Sequence, residues 1–165
     1  MNSETVVNTI LVYAKDKGVA LNHINVQSIL YLLHGFYIAR TGEPLLDNPF
    51  EAWKDGPILP KVYSALNHHG HGWVRYFLEL EEKESGHSLG VYVVDKTHVE
   101  FFDTLNLVWE AYGKLKGEEL FLTVRTKFNE PWIAAKWRNG IISNESILEC
   151  FTKNLSELEG KNDDL

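Results

Sequence analysis

The chain has 165 residues, a length that suits one domain whose folding buries roughly two-thirds of the unfolded surface. Hydrophobic residues make up 44% and aromatics 12%, which excludes a disordered chain, and no apolar run approaches the roughly 18 residues needed to cross a bilayer. The net charge of −7 is spread rather than pooled, with four basic and six acidic groups in residues 1–60, the same in 61–100, and eight and eleven in 101–165. That distribution argues against general nucleic-acid binding, which needs a basic face to neutralise phosphates, and suits a basic protein partner better.

The N-terminal stretch MNSETVVNTI has no basic leader region, and a lone Cys150 has no internal disulfide partner, so the expectation is a cytoplasmic protein. Ser3 is placed to cap a first helix in which Val7, Ile10, Leu11 and Ala14 recur at helical spacing, closed by Lys15, Lys17 and Gly18. The second helix, from about His23 to Thr41, is apolar on nearly all sides and leaves only a narrow stripe that carries Gln27 and His34. Such a helix belongs in the middle of a domain, and at ~1.5 Å per residue it crosses roughly 28 Å before Gly42 ends it.

The segment FEAWKDGPILPKVY, residues 50–63, follows. Phe50 to Trp53 reads as extended chain, Gly56 and Pro57 as a turn, and Pro60 as the first residue of a helix with Val62, Tyr63 and Leu66 on its buried side up to Gly70. His68, His69 and His71 come next, a metal-ligand cluster by residue type but without a carboxylate or thiolate that completes a recognisable site, so they read as a polar helix exit. Alternating residues 73–80 and the β-rich run Leu89–Val94 predict a hairpin across the acidic bridge EEKESGHS, whose carboxylates read as a solvated tip. Thr97 and Glu100 have capping-box spacing ahead of a helix with Phe102, Leu105, Val108, Trp109 and Tyr112 on its core stripe, ending at Gly113. Gly117 opens a further helix, Pro131 another through Trp132 and Trp137 to Gly140, and Ser143 caps the last, with Ile142 and Ile147 as a hydrophobic staple. The fold class is mainly α (α+β): a compact helical domain around a buried central helix with a small antiparallel β-hairpin. Residues 1–158 are expected to form one domain, with 159–165 as a frayed tail.

No nucleophile elbow, phosphate loop, dinucleotide fingerprint or zinc-protease motif is present, and Cys150 falls inside an amphipathic helix rather than at an electropositive helix start. The reading is of a protein without a catalytic residue, cofactor or metal. Trp53 beside a rigid corner reads as a large anchor, in part for the core and in part for a partner, and Trp132 likewise.

The run VQSILYLLHGFYIARTGEPLLDNPFEAWKDGPILPKVYSALNHHG, then FFDTLNLVWEAYG, TKFNEPWIAAK and ISNESILECF, resembles in order and spacing the SocA-like, or Panacea, antitoxin domain family. The specific part is the E-A-W-x-x-G-P match at Glu51, Ala52, Trp53, Gly56 and Pro57, with Pro131-Trp132 where the family places a Pro-Trp pair. Two positions depart from the pattern: Ser28 stands where lysine is usual, and Lys127 where histidine is usual. The resemblance implies a non-enzymatic module that neutralises a co-encoded toxin by direct contact, some members instead delivering the toxin to a cytoplasmic AAA+ protease, in a bacterial, often phage or mobile-element setting. The partner-binding residues expected on that basis are Trp53, Asp55, Gly56, Pro57, Tyr63, Lys127, Pro131 and Trp132. Three rivals stand beside it: a phage structural or host-takeover protein using the same domain, a small metal-dependent hydrolase or nuclease on His68, His69 and His71, and a nucleic-acid binder using Arg125, Lys127, Lys136 and Arg138.

Overall fold

The computed structural model describes residues 1–67, 70, 72–81, 89–137 and 140–160. Seven helices lie among them: α1 (Ser3–Asp16), α2 (His23–Thr41), α3 (Pro60–Leu66), α4 (Val99–Tyr112), α5 (Gly117–Lys127), α6 (Glu130–Lys136) and α7 (Asn144–Gly160). Two antiparallel strand pairs accompany them, β1 (Glu51–Trp53) with β2 (Gly56–Ile58) and β3 (Leu80–Glu81) with β4 (Leu89–Gly90). This is the mainly helical class with small hairpins that the sequence predicts.

The central rod is α2. Every residue from Asn25 to Phe36 is buried, because α7, α4 and α5 pack along it and α1, α3 and β2 cover the rest. Its start is fixed by a reciprocal pair, Asn22 Oδ1 accepting from Asn25 N at 2.9 Å and Asn25 Oδ1 accepting from Asn22 N at 3.3 Å. Its end is fixed by Gly42 in the left-handed region, φ 77°. The predicted polar stripe is closed over rather than solvated. Gln27 spends its amide on one residue, accepting from Leu59 N at 3.0 Å and donating to Leu59 O at 3.2 Å. His34 joins three parts of the chain, one ring nitrogen 3.0 Å from Asn144 Oδ1 and the other accepting from Leu46 N at 3.3 Å. Both side chains are tolerated inside because their polar atoms are met there.

Four local expectations change. The first helix is capped by Asn2, whose side chain accepts from Glu4 N and Thr5 N, and Ser3 is its first helical residue. In the 50–58 hairpin the reversal falls at Lys54-Asp55; Gly56 and Pro57 are strand residues paired with Trp53 and Ala52. At α4 the Thr97 hydroxyl donates to Asp95 Oδ1 at 2.7 Å instead of capping, so His98 is the N-cap and the capping box does not form. The long hairpin shrinks to the pairs Leu80↔Gly90 and Glu81↔Leu89. Its flanks are held by α1 instead: Asn8 donates to Leu78 O and Tyr92 O and accepts from Leu78 N at 2.7 Å, while Thr9 Oγ1 accepts from Val94 N at 2.8 Å.

Pro60 does open α3, although that helix stops at Leu66, ahead of Gly70. Ser143 does cap α7, accepting from Ser146 N at 3.2 Å, with Ile142 and Ile147 both buried. Along α5 only Leu120 and Val124, four apart, turn inward; Leu122 is exposed. Glu159 and Gly160 lie in the last turn of α7, and residues 161–165 lie outside the described residues. Among the described residues no helix is long and apolar enough to cross a membrane.

Candidate functional site

Beside α2 the corner residues meet the start of the rod and one face of α5. Glu51 to Trp53 pair with Gly56 to Ile58 on one edge. On the other edge Ala52 N donates to Gly140 O at 2.6 Å and Ile142 N donates to Phe50 O at 2.8 Å. The strand carrying Trp53 is therefore bonded on both sides. The Trp53 ring packs on Tyr63 with centroids 4.9 Å apart, and its indole N–H donates to Glu51 Oε2 at 2.8 Å. Trp132, near the start of α6 after Pro131, donates its own indole N–H to Trp53 O at 2.8 Å. The backbone of the hairpin is thus anchored from α6 while the Trp53 ring stays half-buried.

These walls enclose a groove of about 430 Å³, lined by His23, Ile24, Gln27 and Ser28 of α2, Trp53 to Ile58 except Gly56, Tyr63 of α3, and Phe121 and Val124 of α5. That volume lies within the roughly 300–1,000 Å³ of pockets that bury small ligands or side chains. Its lining is mostly apolar, with Lys54 and Asp55 exposed at the rim. Gly56 sits behind the lining at φ 150°, a backbone conformation that favours glycine, while the Phe121 ring and Arg125 Cγ lie at ordinary contact distance, 3.7 and 3.9 Å, from where a Cβ would stand. Arg125 lies over the rings of Phe121 and Trp132, 5.3 and 5.4 Å from their centroids, and Lys136 lies 4.3 Å over Trp132.

Of the residues singled out from sequence, Trp53, Asp55, Pro57 and Tyr63 line the groove, and Gly56, Pro131 and Trp132 support its wall. Lys127 stands apart, bonded to Glu157 of α7 at 3.3 Å. His68, His69, His71 and Arg138 lie outside the described residues; among the described residues no group of three His, Cys, Asp or Glu is placed to hold a metal. Sequence reasoning missed His23, Ile24, Gln27, Ser28, Lys54, Ile58, Phe121 and Val124 as lining residues. Ile24 carried a weak signal, as a large apolar residue in the first turn of α2 that stays exposed.

The strongly displaced titratable groups belong to the core. Burial pulls the His34 imidazole down to about 4, and burial together with the Glu130 charge pushes the Cys150 thiol up to about 11. Neither lines the groove. A buried, hydrogen-bonded histidine and a buried protonated thiol are structural groups, not a poised acid and nucleophile.

Fold and groove together define a small helical domain with a half-open apolar groove at a rigid Trp-Pro corner. The chain belongs to the family described as Antitoxin SocA-like, Panacea domain: residues 26–133 match it, more than half of the chain. The matched span runs from α2 into α6 and holds most of the groove lining, together with Trp132. The chain is also similar to Antitoxin SocA of Caulobacter vibrioides (strain NA1000 / CB15N), 33% identical over 70 residues, which is 42% of this chain and 37% of that relative's length. No solved structure matches the chain.

Proposed function

We propose that this chain is an antitoxin that neutralises a co-encoded toxin by direct contact, with the Trp53–Tyr63 groove as the toxin-facing surface and residues 1–158 as the binding unit. Family membership supports an antitoxin role in general. The observation that carries the surface assignment is the convergence of Trp53, Asp55, Pro57, Tyr63 and Phe121, all inside the family-matched span, with Ile24 just ahead of it, around one groove. Half-exposed aromatic anchors beside a rigid turn are the residues that dominate binding energy at protein interfaces. Neutralisation of this kind requires no catalytic step and no cofactor, only a cytoplasmic partner within reach.

The test is co-expression with the neighbouring open reading frame. That neighbour alone arrests growth, and the wild-type chain restores it; Trp53→Ala or Tyr63→Ala loses the rescue and weakens co-purification while the protein still folds. Toxin levels that stay constant during rescue indicate occlusion, whereas levels that fall only when a AAA+ protease is present indicate delivery. A neighbour without toxicity, or rescue unaffected by both substitutions, overturns the reading.

A further inference from the structure

Charge is placed unevenly around the groove. Past Ile24 and Phe121 a neighbouring hollow is lined by Lys116, Glu118 and Glu119 at the start of α5. At the corner end Lys54 lies on the rim, and Arg125 and Lys136 stand just outside the lining, over the Trp132 ring that anchors the hairpin. Four cations elsewhere are paired with carboxylates, Lys61 with Glu4, Lys127 with Glu157, Lys153 with Glu130 and Arg40 with Glu159, while Lys15, Lys17, Arg75, Lys96, Lys114 and Lys116 stand singly along the chain. Among the described residues no ion pair involves Lys54, Arg125 or Lys136. Arg125 and Lys136 rest on aromatic faces, where the guanidinium and ammonium keep their hydrogen-bonding capacity. Two carboxylates stand at this end against the three cations: Glu51, which accepts from the Trp53 indole and keeps its charge, and Asp55 on the rim.

Resting on the reading of this groove as the toxin-facing surface, we propose that its occupant is a partner segment with a large apolar anchor, aromatic or leucine, bearing carboxylates on the side that meets Lys54, Arg125 and Lys136. The apolar lining takes the anchor, and the unpaired cations supply the complementary charge and fix the segment's direction. The net charge of −7 on its own points to a basic partner; the local field at this corner has the other sign, and over a contact of a few ångströms local charges outweigh distant screened ones.

The experiment is a selection of random short peptides, displayed on phage, against the folded full chain. The expected winners carry Asp or Glu on one side of Trp, Phe or Leu. When synthesised, they move the indole N–H resonances of Trp53 and Trp132, and their affinity falls with salt. Affinity also falls at least about tenfold in the Lys54→Glu/Arg125→Glu/Lys136→Glu variant. Lys54→Glu alone, at an exposed position without an ion pair, covers the case in which the triple variant does not fold, with the expectation of weaker binding and a shallower salt dependence. Basic winners, winners without charge bias, no winners, or winners that leave both indole signals in place overturn the proposal. The peptide arm does not involve the toxin. Acidic winners that bind the corner beside a non-toxic neighbour support the groove chemistry while the antitoxin reading fails. Growth rescue that persists in the charge-reversed variant, with charge-neutral winners, sinks this inference alone.

Discussion

A Cβ built on Gly35 would lie 2.5 Å from three atoms of the Phe151 ring. The central helix and α7 therefore touch at a point where only hydrogen fits, and the ring that fills it is fixed from the other sides. Phe151 is fully buried, stacked on Phe128 at 4.7 Å and edge-on to Tyr31 and Phe36 at 5.4 and 5.0 Å. Replacing a mid-helix glycine by alanine gains about 0.5–1 kcal/mol from backbone propensity. Overpacking a closed core costs about 1–3 kcal/mol. Gly35→Ala is thus expected to lower stability by about 1–2 kcal/mol in urea unfolding, with the dependence on denaturant unchanged. A more stable variant would show that Phe151 moves aside.

His34 gives the fold an acid-sensitive joint. Its folded pKa of about 4 lies below the ordinary 6.5 because burial disfavours the charged ring, although the Asn144 contact favours it. A depressed folded pKa means the unfolded chain binds the proton first. The contribution is present above pH 6.5 and is lost as pH falls from about 6.5 toward 4, with a total of about 3 kcal/mol. The stability difference between wild type and His34→Gln should narrow by about that amount over this window. A constant difference would mean that the imidazole titrates alike in both states.

Cys150 should be chemically silent until the domain opens. It is 2% exposed, with the thiol held protonated at neutral pH. At pH 8 alkylation of the native protein is expected to follow the global unfolding equilibrium, slowing as stability rises and becoming fast in denaturant. Rapid labelling under native conditions would place the thiol at the surface.

Asn8 replaces a missing stretch of sheet. One side chain bonds the backbone of Leu78 twice and of Tyr92 once. Asn8→Ala leaves Leu78 N and O without their buried partner, a loss of about 2–3 kcal/mol. The effect should be local first, with amide exchange at Leu78 and Val94 accelerating well before that of α2. Uniform acceleration across the chain would contradict a local role for Asn8.

What the sequence made legible was periodicity and punctuation. The bounds of α2, its stop at Gly42, the opening of α3 at Pro60 and the cap at Ser143 all follow from local rules. What it hid were competitions and long-range partners. Thr97 and Glu100 have the spacing of a capping box, but Asp95 is nearer to the threonine hydroxyl and takes it. Among the described residues the alternating runs near 73–80 and 89–94 pair over two rungs, because α1 offers Asn8 and Thr9 to the neighbouring backbone groups. Gln27 in an apolar helix announces a buried polar partner without saying which; Leu59 is 32 positions away. The groove was half visible, since Trp53 to Tyr63 are contiguous in sequence, whereas Phe121 and Val124 arrive through the packing of α5 on α2.

The strand that carries Trp53 has its rungs filled on both flanks, by Gly56 to Ile58 and by the chain around Gly140 to Ile142. Along that strand a visitor finds no vacant main-chain edge, and contacts with it fall to side chains. Recognition through side chains alone can be retuned by exchanging a handful of residues on an unchanged frame.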